Sequence, residues 1–449
     1  MSATSDTEPV ATRAPSRLSA FLINRNFAWL FLGQGVSLLG DQIFGMILIV
    51  WVATQIAANQ TWAPLATSGL IVASMVPILL VGPMAGVFVD RWDLRRTMMW
   101  TDLLRAGLIG SLFILPLLQN ITPLLKLVLI YSAVFLETTC AQFFNPARFA
   151  LLGDIVPQEK RAQATGIEQV SQAVSVILGP SIAAPLLFGV GVVWAILLNA
   201  LSFVLSFCAI RVLRLPPTRE TSEQKNETKE DEAPEGVRAQ FMQGAQFAFG
   251  NRVVKAIIIS IFLLTLSVGS FPPLSVFFVQ QNLHASAQDT GILLSFFGGG
   301  AVLGAILFGM LAQRIGLRRL FAVAILLAGL LYILMSRLNN FVLACIVVLA
   351  IGMLQAALNV TASPMFMEET PKYLLGRVAS IIGPLTTLGG LISVVCAGYV
   401  SGVLLVHMHL SVMGLLFGPV DTVLTISGMI MVIGGVYASF ALLGAKRQQ

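Results

Sequence analysis

Long apolar runs separated by short polar turns dominate this chain, and their lengths set its fold class. About twelve runs stand out, at 27–54, 64–89, 97–118, 126–146, 164–188, 191–212, 254–281, 288–312, 319–337, 341–367, 377–406 and 420–443. Each is near the roughly 20 residues a helix needs to cross the hydrocarbon core of a bilayer. No water is available there for backbone N–H and C=O groups, so each run is expected as a helix that satisfies its own backbone. One stretch breaks the rhythm. Residues 216–238 open on Pro216 and Pro217 and hold Glu220, Glu223, Glu227, Glu230, Asp231, Glu232 and Glu235 among Lys and Ser. A segment of that kind buries too little apolar surface to fold alone. It reads as a passive cytoplasmic linker, with a regulatory role as the alternative.

The pattern predicts an all-α polytopic membrane protein of twelve transmembrane helices in two six-helix pseudo-symmetric bundles. Its expected divisions are an N-terminal cytoplasmic tail at 1–26, a first bundle at 27–212, a linker at 213–252, a second bundle at 253–443 and a C-terminal tail at 444–449. An internal repeat supports the division. Gly86-Val-Phe-Val-Asp90-Arg91-Trp-Asp-Leu-Arg95-Arg96 returns as Gly309-Met-Leu-Ala-Gln313-Arg314-Ile-Gly-Leu-Arg318-Arg319, an offset of 223 at every matched position. The stretch from Asn145-Pro146 to Pro157, taken to follow span 4, matches that from Asn359 through Pro364 to Pro371 after span 10, with Asn145 and Pro157 each returning 214 positions later. Duplicated helical bundles are the usual architecture of secondary transporters.

Composition agrees. Apolar residues make up 57% of the chain and charged ones 11%, against about 25% charged in soluble domains. The net charge of +6 does not call for a nucleic acid, because it is distributed by topology. If the N-terminus is cytoplasmic, 24 of the 27 Lys and Arg residues fall on that side, with Lys126 and Arg337 opposite and Arg105 within a span. That is a positive-inside pattern with both termini in the cytoplasm. The first 20 residues lack an apolar core, so no cleavable signal peptide is expected. Cys140, Cys208, Cys345 and Cys396 all fall inside spans and read as buried apolar fillers rather than disulfide partners.

Charge within a bilayer costs about 2.5–3.5 kcal/mol per residue on insertion scales, so each such group is a functional candidate. Two acidic residues fall near mid-membrane: Asp41 in span 1 and Glu137 in span 4. Gln34, Ser37, Asp41 and Gly45 are spaced i, i+3, i+7 and i+11, one polar stripe that must face a partner helix or a water-filled cavity. Proton coupling needs a carboxylate that exchanges a proton while shielded from water. Asp41 and Glu137 are the candidates, with structural hydrogen bonding as the alternative. The second half has no mid-membrane carboxylate. Gln355, Asn359 and Ser363 form a neutral stripe in span 10, so Gln34, Ser37, Gln355 and Asn359 are the expected cavity lining.

Arg105 lies one to two turns inside span 3 with Asp102 at i−3, an ion-pair spacing. Its expected partners are the charges of loop 2–3. With no cation then left at mid-depth, the cavity favours cationic or neutral amphipathic compounds over anions. In loop 2–3, Asp90 can accept from the N-terminus of a neighbouring helix, and Arg91, Arg95 and Arg96 can pair with Asp154 or Glu159. Gly86, Asp90, Arg91, Arg95, Arg96, Asp102 and Arg105 are therefore the expected gating group. Gly179 and Pro180 join it as a kink in span 5. His407 and His409 lack a third ligand for a metal site. No GxxxxGK[ST] motif is present, so neither ATP hydrolysis nor other enzymatic activity is expected, and no cofactor.

These residues resemble the major facilitator superfamily over the whole chain. Gly86-x-x-x-Asp90-Arg91-x-x-x-Arg95-Arg96 looks like the family's loop 2–3 signature, with Asp93 in place of its usual Gly and Gln313 in place of the acidic residue in the second copy. The latch is therefore expected to be stronger in the first half. Ser37-Leu-Leu-Gly40-Asp41, Phe144-Asn-Pro146-Ala-Arg148 and Leu152-Gly-Asp154-Ile-Val-Pro157 are similar to the macrolide-efflux-like branch of drug:proton antiporters. Ile177-Leu-Gly179-Pro180-Ser-Ile-Ala-Ala184 resembles the antiporter motif of span 5, with Ala183-Ala184 for the usual glycine pair. The resemblance implies alternating access by two rocking bundles in a bacterial plasma membrane, exporting amphipathic compounds in exchange for protons. A monomer is expected, whose partners are the small-molecule substrate, protons and the lipid bilayer. The alternatives are a siderophore or lysophospholipid carrier of the same superfamily, and a non-transporting membrane sensor.

Overall fold

The computed structural model describes residues 23–118, 120–213, 237–371, 373–406, 410–412 and 415–443. Most of the N-terminal tail, the acidic stretch 214–236, His407 with His409, and the C-terminal tail lie outside the described residues. In the first half, span 1 is α1 (Arg25–Trp51) and span 2 is α2 (Ala63–Leu80) with α3 (Gly82–Val89). Spans 3 to 6 are α4 (Leu94–Ser111), α5 (Pro123–Ile155), α6 (Arg161–Pro185) and α7 (Val192–Val212). A short helix, α8 (Val237–Gly250), precedes the second half, where span 7 is α9 (Arg252–Val268) with α10 (Phe271–Phe277). Spans 8 to 12 are α11 (Asp289–Ile315), α12 (Leu317–Ser336), α13 (Phe341–Glu369), α14 (Leu375–Tyr399) and α15 (Pro419–Leu443). Eleven of the twelve are long and apolar enough to cross a membrane. Span 3 falls short only because it carries Arg95, Arg96, Asp102 and Arg105.

The two halves repeat one packing scheme. In the first, span 1 packs on spans 5 and 6, span 3 on spans 4 and 6, and span 2 on span 4. In the second, span 7 packs on spans 11 and 12, span 9 on spans 10 and 12, and span 8 on span 10. Wide π turns repeat as well, at Val52–Ile56 and Leu186–Val190 after spans 1 and 5 and at Phe278–Asn282 and Val400–Leu404 in spans 7 and 11. Each disturbs the helix at the same end of the bundle. The end carrying Asn24, Asp90–Asp93 and Arg211 we call the basic face, and the π turns lie at the opposite face.

The halves meet through spans 5 and 8 and through spans 2 and 11. These contacts are tightest away from the basic face. Thr67 Oγ1 donates to Pro273 O at 2.9 Å, and the Ser181 and Ser295 hydroxyls share a short hydrogen bond. A Cβ added at Gly291 would stand 2.2 Å from Pro180 O, so only glycine lets span 8 approach span 5 this closely. The apolar core follows the same division. One cluster combines Trp51, Leu70, Leu274 and Phe278 from both halves. Nearer the basic face the clusters separate, with Phe27, Met98, Phe144 and Ile210 in the first half and Val254, Ile258, Leu374 and Val378 in the second. The bundles are thus joined at one end and parted at the other.

Several expectations need correction. Asn145 and Pro146 do not follow span 4, since α5 continues to Ile155 with Pro146 inside it. Asn359 and Pro364 likewise lie inside α13. The segment expected as linker up to residue 252 is helical from Val237. Ala248 and Phe247 of α8 pack with Leu374 and Val378, and Gln243 accepts from Arg377 at the start of span 11. The apolar residues of this short helix therefore have a surface to cover. Among the cysteines, all free, Cys345 is buried and Cys140 half-buried, whereas Cys208 and Cys396 sit on the outer surface of the bundle. Between spans 11 and 12, β1 (Leu410–Val412) and β2 (Leu415–Phe417) pair antiparallel with Leu410 opposite Phe417.

Candidate functional site

A cavity of about 870 Å³ runs from the basic face to the middle of the first half. The stripe on span 1 faces it, so Gln34, Ser37, Asp41 and Gly45 all line it. Glu137 enters from span 4 and Pro180 from span 5. The second half contributes little beyond Pro272 and Leu294, so Gln355 and Asn359 are not part of this lining. Their stripe turns elsewhere, with Gln355 half-buried and Asn359 exposed. Gly179 has a packing role, for a Cβ there would be 2.6 Å from Gln42 Cβ on span 1.

At the inner end of the cavity Arg105 joins the two mid-membrane carboxylates, contrary to the expectation that it would pair with loop 2–3. Its Nε donates to Glu137 Oε1 at 2.7 Å, and its Nη2 lies 2.5 Å from Glu137 Oε1 and 3.0 Å from Asp41 Oδ2. Nη1 is 3.9 Å from Asp102 Oδ1. The guanidinium lies over the Phe203 ring, 4.1 Å from its centroid, and 5.9 Å from that of Phe144, an arrangement in which aromatic faces attract the cation. Asn199 of span 6 lines the same end of the cavity as Asp41. The Arg105 side chain is 8% exposed and that of Asp41, at the cavity wall, 32%. Arg105 sits eleven residues into its helix, which starts at Leu94, three residues earlier than the apolar run at 97 indicates.

Asp102 belongs to the same cluster. Its side chain is fully buried, and its Oδ2 accepts from the Ser206 hydroxyl at 2.5 Å. Ser206 Oγ in turn accepts from Gln34 Nε2 at 2.8 Å, which connects Asp102 to the cavity wall. Asp102 Oδ1 has no hydrogen-bond partner. Sequence reading missed Asn199, Phe203 and Ser206. Their signal is a stripe on span 6, where Asn199, Ser202 and Ser206 recur at i, i+3 and i+7. One cation therefore faces three carboxyls. With all three ionised the cluster would carry two uncompensated negative charges, so protons or a bound cation are required to neutralise it.

Loop 2–3 is arranged differently from the expected latch. Arg95 Nε donates to Ile210 O at 3.3 Å and its Nη2 to Arg211 O, so it caps the C-terminal carbonyls of span 6. Arg91 and Arg96 are exposed, and Asp154 and Glu159 form no ion pair with them among the described residues. Asp93, not Asp90, caps the neighbouring helix, with its Oδ1 accepting from Arg96 N at 2.7 Å. Gly86 has open space where a Cβ would be. The first-half ion pair at this face is instead Arg148 with Glu168 at 3.5 Å. In the second copy Arg318 pairs with Glu369 on span 10, so the latch is not confined to the first half. Asp93→Ala is expected to lower stability by about 1 kcal/mol through loss of the cap, read as a lower unfolding temperature in detergent.

Comparisons with known proteins agree with this architecture. The family model described as transmembrane secretion effector matches residues 16–432. The chain is 25% identical to macrolide efflux protein A of Streptococcus pyogenes over 81% of its own length and 86% of that protein. It is 23% identical to the multidrug efflux pump Tap of Mycobacterium tuberculosis, covering 86% of this chain and 88% of that one. Among solved structures, a bacterial homologue of the iron transporter ferroportin in its inward-facing state superposes with a TM-score of 0.70 at 15% identity, covering 93% of this chain and 98% of that one. With a family model spanning nearly the whole chain and a twelve-helix fold built from two like halves, the protein belongs to the transmembrane secretion effector family of major facilitator transporters.

Proposed function

We propose that this transporter exports hydrophobic neutral or cationic compounds in exchange for protons, by alternating access in a bacterial plasma membrane. The observation that carries this reading is the charge count at the inner end of the cavity, where Arg105 alone faces Asp41, Glu137 and Asp102. A site short of positive charge accepts protons or an organic cation, and competition between the two for one pair of carboxylates is the simplest form of antiport. Asp41 and Glu137 are the proton carriers in this scheme, and Gln34 and Ser37 hold substrate. The similarity to a macrolide efflux protein and a multidrug efflux pump supports export of amphipathic compounds. Lys and Arg concentrate on the basic face, which supports a cytoplasmic position for that face and for both chain ends. The molecule works as a monomer, because one chain supplies both bundles and the cavity.

The test is substrate-induced proton movement in proteoliposomes holding the purified protein, for amphipathic cations and macrolides, with wild type beside Asp41→Asn. Wild type is expected to couple substrate flux to opposite proton flux, and Asp41→Asn to lose the coupling. Coupling that survives in Asp41→Asn moves the proton site to Glu137. Flux of an anionic lysophospholipid with none of cations or macrolides would refute the reading and favour the lipid carrier. That rival draws on Arg105 and Arg148, both of which line the cavity.

A further inference from the structure

The proposed cation substrate and the observed geometry compete for one place. Arg105 already occupies the carboxylate pair that an organic cation would use, with Nε and Nη2 on Glu137 and Nη2 on Asp41. An arriving cation must therefore displace a guanidinium, and a displaced guanidinium inside a membrane needs another partner. The structure holds one. Asp102 Oδ1 is fully buried and accepts no hydrogen bond, and Arg105 Nη1 lies 3.9 Å from it. Nη1 itself donates to neither Asp41 nor Glu137. A spare donor and a spare acceptor thus face each other, about 1 Å beyond the usual N–H···O separation.

The surroundings suit a short movement between two positions. Asp102 is held from behind by the Ser206 hydroxyl at 2.5 Å, which is held in turn by Gln34 at 2.8 Å, so the waiting carboxylate is fixed in place. The guanidinium carbon lies over the Phe203 ring, 4.1 Å from its centroid, and a cation sliding over an aromatic face keeps most of its attraction.

We infer that Asp102 is a second dock for Arg105, and that the place Arg105 vacates, against Asp41 and Glu137 over the Phe203 and Phe144 rings, is the binding subsite for the positive group of a monovalent organic cation. Neutral substrates use the same cavity without moving Arg105. The inference rests on the exporter reading for its substrate class, but it concerns equilibrium binding and needs no proton coupling. It gives Asp102 a positioning role, exerted through Arg105.

The experiment measures equilibrium binding in detergent of tetraphenylphosphonium, a lipophilic monocation, and erythromycin presented as its neutral form at alkaline pH. Asp102→Asn is expected to weaken the monocation about tenfold, within the range of ordinary coupling energies, and to change neutral binding less than twofold, which also shows that the variant is folded. Equal loss for both ligands, or for neither, overturns the proposal. A simple field effect of the lost carboxylate is separated by Ser206→Ala, which keeps the charge and removes the anchor. Docking expects severalfold weaker monocation binding there, and an unchanged constant overturns it. In an Arg105→Gln background the Asp102→Asn effect is expected to vanish, and a persistent tenfold effect counts against docking. Failure of wild type to bind the monocation also sinks the inference. Failure of proton flux with this binding pattern intact sinks the antiport reading alone.

Discussion

Arg105→Ala is expected to destabilise the folded protein by about 3–5 kcal/mol, more than any other single substitution at the site. Breaking a buried ion pair by removing one partner leaves uncompensated charge behind, and that penalty exceeds the net worth of the pair. Here the penalty is multiplied, because one guanidinium serves Asp41, Glu137 and the nearby Asp102, with its own side chain only 8% exposed. The substitution also empties the space over Phe203. Thermal unfolding in detergent reads the effect. Arg105→Lys is expected to recover part of it, since an ammonium restores charge but not two parallel donors on Glu137. Adding Glu137→Gln to Arg105→Ala is expected to restore stability relative to the single variant, because it removes one of the stranded charges. An Arg105→Ala protein as stable as wild type would show that the cluster is neutral without its arginine.

Joining the bundles where they already touch is expected to stop transport completely. Ser181 on span 5 and Ser295 on span 8 share a short hydrogen bond, and their helices meet at Gly291 against Pro180 O. In the Ser181→Cys/Ser295→Cys variant, made without the four native cysteines, oxidation is expected to form a disulfide and reduce substrate flux to background. Reduction is expected to restore it. The cavity opens only toward the basic face while the opposite ends are in contact, so substrate can leave by the far side only if spans 5 and 8 separate there. Undiminished flux through a fully cross-linked protein would rule out separation at this contact. Gly291→Val approaches the same point from the other direction. The added side chain cannot fit against a backbone carbonyl, so the variant is expected to shift toward a state open at the opposite face. Reagent access to a cysteine placed at Ser295 is the measure.

Much of the fold was legible because membrane helices are governed by local rules. Backbone satisfaction forces each apolar run into a helix whatever its neighbours are, and the predicted run at 27–54 compares with a helix over Arg25–Ile56. The end of span 4 was misjudged for a related reason. Pro146 and Pro364 are poor helix formers, yet both lie within helices because the flanking turns are held in a bundle. The start of α8 was hidden in the linker, since its few apolar residues count as a helix face only when Leu374 and Val378 are there to receive them.

The site divides in the same way. Asp41 and Glu137 could be picked out because an acidic residue in hydrocarbon is costly wherever it points. Arg105 could not be placed by depth alone. It lies eleven residues after Leu94, about 16 Å along the helix, and a long side chain can turn toward either face of the membrane. The loop 2–3 arginines were assigned Asp154 and Glu159 as partners because these acids fall on the same face of the membrane. In the structure Arg95 finds the carbonyls of Ile210 and Arg211, which no residue pattern announces.

By itself the sequence determined the spans, their duplication, the sidedness of charge and the presence of two carboxylates at mid-membrane. All of these follow from the energy of transferring individual groups into hydrocarbon, which depends on the group and its depth rather than on its neighbours. Only the tertiary structure decided that Arg105 joins Asp41 to Glu137, that Asp102 stands behind them with an oxygen unfilled, that Gln355 and Asn359 lie apart from the cavity, and that the bundles close at one face and part at the other. Those outcomes are pairwise. An ion pair or a helix contact is set by separations of a few ångströms between residues far apart in the chain, and such separations exist only once the helices have packed.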